Sequence, residues 1–404
     1  MPRPIERDDL ASVLPAGGLT LVSSCSAESA LLVDAVERAG DALADMTFSG
    51  IFVPGLNHSI WRAGNRSRVL TFFQTPELRQ ESERVTFLPL CYQDILATLR
   101  KQRPAAALFM CSPPDDDGRC GFGTEVAFIA ELWREIPVRI AHINPRMPRT
   151  AEPGIPFEEL TAFFEEDQPL LGSGEGNPDA LATAIARNVA PFIKDGDTLQ
   201  TGLGRVPDAV LVELADRREL RLHSGLVGNG ALALLDSGAL VAATVGCAIG
   251  SERLYEAVAR PPFIFRPVSV THGAEVLSKL GLITINSALE IDLFGQAYAE
   301  LSPRGWMSGP GGASDYARAA RAGGLRIIAL PATARAVSRI VLPGDASGPV
   351  SLGRMDIDVV ATEHGAADLR GLDHQSRASA LIDIAAPEYR PSLSARWAEY
   401  SRRF

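Results

Sequence analysis

The sequence predicts an α/β protein made of two similar open domains, each built on a mostly parallel sheet. The chain has 404 residues, and a length above about 300 residues favours two hydrophobic cores over one. Short apolar runs alternate with helical segments in both halves, which is the pattern of parallel strands joined by right-handed crossovers. An apolar strand followed by Asp and Gly occurs at Asp117-Gly118 and is echoed at Asp292–Gln296. We therefore also expect a duplication of one fold.

Composition restricts the class of protein. Hydrophobic residues make up 46% of the chain and charged residues 22%, and the net charge is −10. An acidic balance argues against nucleic acid or an anionic membrane surface as the main partner. The five cysteines show no CxxC spacing, so neither a disulfide framework nor a zinc site is indicated. No apolar run approaches the roughly 20 residues of a membrane helix, and the N-terminal stretch lacks an apolar targeting segment. We expect a cytoplasmic protein.

The first predicted domain spans residues 1–150. Its predicted strands are Leu19–Ser23, Phe48–Val53, Val69–Phe73, Ala105–Cys111 and Val138–Ile143, and its main predicted helices are Ala27–Ala44 and Tyr92–Leu99. Residues 151–179 are rich in proline, glycine and acidic residues, which predicts a linker between the domains. A short helix near Phe157–Phe164 is the one regular element that we expect there.

The second predicted domain spans residues 180–404 and opens with a helix at Ala180–Phe192. Its predicted strands are Thr198–Gln200, Leu220–His223, Val241–Val245, Phe263–Arg266, Ile283–Asn286, Arg326–Ala329 and Val359–Thr362. Gly202 and Gly204 form a turn between the first strand and a helix near Pro207, and Gly225–Gly230 is predicted to be a mobile turn. Glycine turns between a strand and a helix are where α/β proteins bind phosphates and acyl groups.

The most distinctive loop of the second domain is SGPGGASDYARAARAGG, Ser308–Gly324. Gly309, Gly311 and Gly312 leave the backbone bare, and Ala313–Ala322 is predicted to be helical. Bare N–H groups at the start of a helix are good donors to an oxyanion or a phosphate.

These motifs carry a resemblance to a known family. The ordered stretches DGDTLQTGLGRVPDAV, INSALEIDLFGQAYAE, SGPGGASDYARAA, VVATEHGAADLRG and RASALIDIAAPEYR resemble the acetyl-CoA hydrolase/CoA-transferase family, which includes 4-hydroxybutyrate and succinyl-CoA:acetate CoA-transferases. The resemblance implies an active site between the two domains, coenzyme A bound as an acyl-CoA substrate, a small carboxylate as a second substrate and no metal. It also implies a homodimer or a higher homo-oligomer.

The chain departs from the family at the nucleophile. Family members use a glutamate that attacks the acyl-CoA thioester, within a pattern that resembles L-x-x-H-[ST]-E. This sequence aligns there as Leu220-Arg221-Leu222-His223-Ser224-Gly225, so Gly225 stands in the position of the glutamate. Glycine has no side chain that could form an anhydride. The alignment therefore excludes a glutamyl-CoA route at this position.

Three interpretations remain open. The chain is an enzyme that hydrolyses an acyl-CoA or cleaves a C–C bond in it by a route that is not ping-pong, a CoA-transferase with a surrogate carboxylate, or a CoA-binding subunit without catalysis. Candidate catalytic-site residues are Gly225, Glu125 as an unusual acid, His223 as an orienting residue, and Gly311 and Gly312 as oxyanion donors. Candidates for binding CoA are Gly202, Gly204, Arg205, Gly309, Gly311, Gly312 and Arg370. Weaker candidates are His58, Cys247, Glu290, Asp292, Arg318, Glu363 and His364.

Overall fold

The computed structural model describes residues 1–174 and 178–403, and the chain divides into two compact units. Within the described residues, the first unit holds residues 1–174 and Thr244–Gly273, and the second holds 178–243 and 274–403. The predicted boundaries differ from this division in two places. Residues 151–174 belong to the first unit rather than to a linker, and the chain returns to that unit for Thr244–Gly273. Residues 175–177 of the predicted linker lie outside the described residues.

The first unit is built on a parallel sheet. In spatial order its strands are Arg3–Pro4, Ala162–Glu165, Val138–Ile143, Ala106–Cys111, Gly18–Val22, Met46–Gly50, Arg68–Thr71 and Val85–Phe87, and every neighbouring pair is parallel. Its α-helices are Leu10–Val13, Ala30–Ala39, Pro76–Gln80, Tyr92–Gln102, Ile129–Leu132, Glu252–Val258 and Val268–Thr271. Smaller strands are Arg119–Cys120 paired with Ile155–Pro156, and Phe263–Phe265. Buried Leu32, Val36, Phe48 and Leu108 belong to the core of this unit.

The order of the strands places a crevice at one edge of this sheet. Gly18–Val22 is an interior strand, and the chain first adds Met46–Gly50 on one side of it. It later crosses to add Ala106–Cys111 on the other side. The loops that leave Gly18–Val22 and Ala106–Cys111 therefore diverge at their carboxyl ends, which is where open α/β sheets bind ligands.

The second unit repeats this order. The main-sheet strands that lie wholly within it run in the order Leu220–Val227, Thr198–Thr201, Ile283–Asn286, Leu325–Ala329, Val359–Thr362 and Gly365–Asp368. The first four of these neighbouring pairs are parallel and the last is antiparallel. The interior strand Thr198–Thr201 is flanked by the next strand on one side and by Ile283–Asn286 on the other. The shared order confirms the predicted fold class and supports the duplication.

The remaining elements of the second unit surround this sheet. Its α-helices are Ala180–Val189, Arg205–Glu213, Gly230–Asp236, Ala274–Leu277, Ala313–Ala319, His374–Asp383 and Arg390–Tyr400. Its small strands are Glu290–Asp292 with Ala297–Tyr298 and Ile340–Val341, Leu301–Ser302 with Gly305–Trp306, and Thr333–Ala334 with Val337–Ser338. Buried Ile291, Leu330, Val360 and Trp397 are part of its core. Strand Leu240–Ala248 carries the chain back to the first unit.

Two predicted elements are wrong. The helix expected near Phe157–Phe164 is a short 3₁₀ turn followed by the strand Ala162–Glu165, because Ala162 and Phe164 are buried with a period of two. The turn expected at Gly225–Gly230 is also displaced. The strand continues from Leu220 to Val227, and a helix begins at Gly230. Among the described helices, none is both long and apolar enough to cross a membrane.

Candidate active site

Glu125 lies at the crevice of the first unit. Its side chain lines a small cavity together with Ser24, which follows the interior strand Gly18–Val22. Nearby, Ser26 Oγ lies 2.9 Å from Thr124 Oγ1 and 2.7 Å from the carbonyl oxygen of Ala248. Glu125 is only 5% exposed, and this burial raises its pKa to about 8. The side chain is therefore a neutral carboxylic acid at pH 7.

Two thiols lie beside this carboxyl group. Cys25 has a positive φ of 50°, an unusual conformation for a residue with a side chain. Its thiol donates to the carbonyl oxygen of Ile51 at 3.5 Å, and the neighbouring Cys247 together with burial raises the pKa of Cys25 well above the ordinary value. A cavity of about 10 Å³ is lined in part by Ser24, Ile51 and Glu125, which is space for about one water molecule. Cys25 is thus a protonated thiol rather than a reactive thiolate.

The crevice of the second unit is closed by a pair of amides. Gln200 Nε2 donates to Asn286 Oδ1 at 3.2 Å, and Asn286 Nδ2 donates to Gln200 Oε1 at 2.9 Å. Gly202 is the first residue after the strand Thr198–Thr201, and a Cβ at this glycine would lie 3.0 Å from Asn286 Oδ1. The predicted glycine turn therefore lies at the carboxyl edge of the sheet, where only a bare backbone fits without displacing the amide.

Gly225 lies in the neighbouring strand and is half-buried. His223 is buried in the same strand, and Ser224 Oγ donates to the carbonyl oxygen of Thr201 at 3.0 Å. These contacts fix the backbone on the N-terminal side of Gly225. Gly225, which the motif alignment predicts to stand in the place of the family's glutamate, presents only main-chain atoms.

The turn after this strand packs directly on a helix. Asp208 Oδ1 accepts the N–H of Gly230 at 3.1 Å, and a Cβ at Gly230 would lie 2.6 Å from the carbonyl oxygen of Asp208. Burial raises the pKa of Asp208. The sequence interpretation missed this aspartate, because nothing in the helix pattern around Pro207 indicates that the following turn closes onto it.

The glycine loop leads into a short helix that carries a buried aromatic side chain. Gly311 has a φ of 60°, and Gly312 immediately precedes the helix Ala313–Ala319. Tyr316 on that helix is 2% exposed, and burial raises the pKa of its phenol well above the ordinary value. Tyr316 was not among the sequence candidates. The one sequence feature that could have indicated this residue is its position within the glycine-loop motif Ser308–Gly324.

The two arginines expected to bind CoA are each paired with a carboxylate. Arg205 lies 2.6 Å from Asp179, and its side chain is 81% exposed. Arg370 donates to Asp368 through Nε at 2.9 Å. Gly204, with a φ of 128°, has open space around the position of a Cβ. A role for these residues in binding CoA stays a prediction, since a phosphate would compete with an existing ion pair at each arginine.

Several weaker candidates have structural partners. Glu290 accepts hydrogen bonds from the backbone and the hydroxyl of Ser347. Asp292 accepts the N–H groups of Phe294 and Gln296 and thus closes its turn. Of the rest, His58 pairs with Glu77, Glu363 accepts the N–H of Ala332 and lies 3.8 Å from His364, and Arg318 is exposed. In the described part of the chain, no group of three or more His, Cys, Asp or Glu could hold a metal ion.

Comparison with known proteins identifies the family. The family model for the acetyl-CoA hydrolase/transferase C-terminal domain matches residues 250–397. The 4-hydroxybutyrate coenzyme A transferase of Clostridium kluyveri is 32% identical over 341 residues, which cover 80% of this chain and 79% of that protein. The chain belongs to the acetyl-CoA hydrolase/CoA-transferase family. The succinyl-CoA:cyclohexane-1-carboxylate CoA transferase of Geobacter metallireducens, another similar protein, is 31% identical over 76% of this chain and 74% of its own.

Solved structures agree with the family assignment. RipA from Yersinia pestis superposes with a TM-score of 0.91 at 25% identity, over 99% of this chain and 98% of RipA. The 4-hydroxybutyrate CoA-transferase of Porphyromonas gingivalis gives a TM-score of 0.80 at 28% identity, over 100% of this chain and 98% of that protein. The resemblance drawn from the motifs is therefore confirmed for the family and for its fold.

Proposed function

We propose that this chain is an acyl-CoA-processing enzyme that works without an enzyme-bound glutamyl-CoA thioester. Membership of the family supports acyl-CoA as the substrate. Gly225 is the observation that carries the rest, because a mixed anhydride needs a side-chain carboxylate and this residue offers only backbone. The reaction is then hydrolysis of the thioester by water, or cleavage of a C–C bond in the acyl group, by a route that is not ping-pong.

The remaining candidate groups fit an electrophilic role. The N–H groups of Gly311 and Gly312 are the proposed donors to the thioester oxyanion, since one has a positive φ and the other begins a helix. In this proposal, His223 orients the strand Leu220–Val227, which the two N–H groups would face. Gly202, Gly204, Gly309, Arg205 and Arg370 are the proposed CoA-binding residues. A homodimer or higher homo-oligomer in the cytoplasm belongs to the same proposal.

A CoA-transferase that uses Glu125 as a surrogate carboxylate is the second candidate. Its support is the unusual burial of an acid at the crevice of the first unit. The raised pKa of Glu125 argues against it, because a neutral carboxylic acid is a poor nucleophile at pH 7. The same property suits a proton donor, so we favour hydrolysis or C–C cleavage. A CoA-binding subunit without catalysis is the third candidate.

The proposal predicts tight recognition of CoA thioesters and their turnover. Calorimetry with CoA, acetyl-CoA and a panel of larger acyl-CoAs should detect binding, and mass spectrometry of the mixtures should detect a released acid or a shortened acyl-CoA. Binding without any product would favour the non-catalytic subunit. No binding to any member of the panel would contradict the proposal as a whole.

A further inference from the structure

We infer that Ser351 and Glu300 are positioning residues for the glycine loop, because their hydrogen bonds hold the chain both before and after Gly309–Gly312. The kinetic consequences of the inference rest on the proposed function, in which this loop supplies the oxyanion donors. The contacts themselves lie wholly within the second unit. Neither residue was among the sequence candidates.

Ser351 is a junction of several hydrogen bonds. Its Oγ accepts the N–H of Ala299 at 2.9 Å and donates to Glu300 Oε1 at 2.7 Å. A serine hydroxyl has one proton to donate and two lone pairs that accept, so it can serve both partners at once. The N–H of Ser351 also donates to the carbonyl oxygen of Ala297 at 2.9 Å. Ser351 is therefore held against residues 297–300 by its backbone and by its side chain.

Glu300 fixes the chain just before the glycine loop. Its carbonyl oxygen accepts the N–H of Met307 at 2.7 Å, which closes the short hairpin between the two residues. Met307 immediately precedes Ser308, the first residue of the loop motif. The side chain of Glu300 is 4% exposed and accepts the hydroxyl of Ser351. The start of the loop is thus joined to Ser351 through one residue.

Ser314 fixes the chain just after the loop. It is the second residue of the helix Ala313–Ala319, and its Oγ donates to the carbonyl oxygen of Ser351 at 3.2 Å. The two ends of the segment Met307–Ser314 therefore converge on Ser351, one through Glu300 and the other through Ser314.

The loop needs support at its ends because its glycines offer none of their own. Glycine has no side chain with which to hold its backbone, and it has more conformational freedom than any other residue. Gly311 has a φ of 60°. A shift of either end would displace the N–H groups of Gly311 and Gly312, which we propose as oxyanion donors. Catalytic geometry is sensitive to displacements of about 1 Å.

The side chain of Glu300 acts here as a hydrogen-bond acceptor. Burial raises the pKa of its carboxyl group, and the hydrogen bond from Ser351 opposes that shift. Glutamine keeps a carbonyl oxygen at the same place, whereas leucine fills a similar space without any acceptor. Glu300→Gln should therefore preserve the contact with Ser351, and Glu300→Leu should remove it.

Turnover of the acyl-CoA substrate gives the first test. We expect Ser351→Ala and Glu300→Leu each to lower kcat about five- to tenfold, as the loss of one hydrogen bond allows, with KM unchanged within about twofold. Glu300→Gln should keep kcat within about twofold of the native value. Ser347→Ala is the matched control. It removes a nearby hydroxyl that donates to a different glutamate, Glu290, at 3.1 Å, and it should leave kcat unchanged.

Hydrogen exchange separates this inference from the proposed function. Peptides that contain Gly309–Gly312 should exchange faster in Ser351→Ala and Glu300→Leu than in the native protein, Glu300→Gln or Ser347→Ala, whether or not the protein turns over any acyl-CoA. If Ser351→Ala does not fold, Ser314→Ala decides, because it removes only the contact after the loop and should also speed exchange there.

The outcomes for the two proposals differ. An inactive native protein would refute the proposed function and leave exchange in the loop to decide on Ser351 and Glu300. Unchanged exchange in the loop, unchanged kcat in an active protein, or an equal effect of Ser347→Ala would overturn the inference.

Discussion

Glu125 shows how burial decides the chemistry of a single residue. The residue type and its place after the Gly121–Gly123 turn are visible in the sequence. The depth of the side chain depends on the tertiary structure, because Ser24, Cys25 and Cys247 come from distant parts of the chain. An exposed glutamate would be ionised at pH 7. Glu125 is neutral at pH 7 instead, and a neutral carboxylic acid is suited to donate a proton rather than to act as a nucleophile.

A pH-dependent stability follows from Glu125. Burial raises its folded pKa from 4.5 to about 8, so the folded state keeps a proton that the unfolded chain releases above pH 4.5. Its stabilising contribution is therefore complete below pH 4.5 and is lost as the pH rises towards 8, by up to about 5 kcal/mol. In Glu125→Gln this slope should be absent. Urea unfolding at pH 5, 7 and 8.5 measures it, with the exposed Glu165→Gln as control. Parallel pH profiles for the native protein and Glu125→Gln would contradict the assignment.

Glycines fix the geometry where elements meet, and Gly230 is the clearest case. The helix Arg205–Glu213 approaches the turn so closely that a Cβ at Gly230 would lie 2.6 Å from a backbone oxygen. Gly230→Ala should therefore lower the free energy of unfolding by about 1–3 kcal/mol, in the range of overpacked cores. Chemical denaturation measures this. Gly353→Ala is the control, because the nearest atom to its Cβ is at 3.7 Å. Equal stability of the two variants would show that the turn relaxes freely.

The glycine loop gives a catalytic prediction at the same scale. Gly311→Val and Gly312→Val should each raise the barrier for turnover by about 2.7–4 kcal/mol if the loop supplies oxyanion donors. Valine at Gly311 also strains a positive φ of 60°. The matched control is Gly323→Val, since Gly323 has a φ of 81° and open space around its Cβ. Steady-state kinetics on the true substrate decide the matter: full turnover in both loop variants would make the loop merely structural.

The elements themselves were largely predictable from the sequence. Buried strands such as Val138–Ile143 and Ile283–Asn286 match their predicted bounds, because short apolar runs bounded by polar turns are a strong local signal. Phe157–Phe164 was assigned to a helix, because acidic flanking residues hid its alternating burial. The predicted strand Leu220–His223 ends too early, since the observed strand passes through Gly225. Glycines usually break a strand, and here tertiary contacts hold it to Val227.

At the scale of the whole molecule, the repeated strand order explains why both candidate clusters lie at the carboxyl edge of a sheet. Each unit has an interior strand whose neighbours are added first on one side and later on the other. The sequence predicted two α/β domains and the family. It did not predict that Thr244–Gly273 belongs to the first unit, because a local pattern does not record which core a strand and a helix join. Asp208 was missed for the same reason.

The fate of the acyl-CoA thioester on the enzyme tests the central claim most directly. Borohydride reduces enzyme-bound CoA thioesters, so treatment in the presence of acyl-CoA reports whether such a thioester forms. The native protein should keep its activity and its mass, and it should show negligible exchange of CoA between acetyl-CoA and free carboxylates. Gly225→Glu introduces a carboxylate at the position that the alignment assigns to the family's nucleophile and should gain both exchange and sensitivity to borohydride, whereas Gly225→Gln should gain neither. Rapid exchange by the native protein, with loss of activity under borohydride only when acyl-CoA is present, would contradict the account and make Glu125 the first residue to replace.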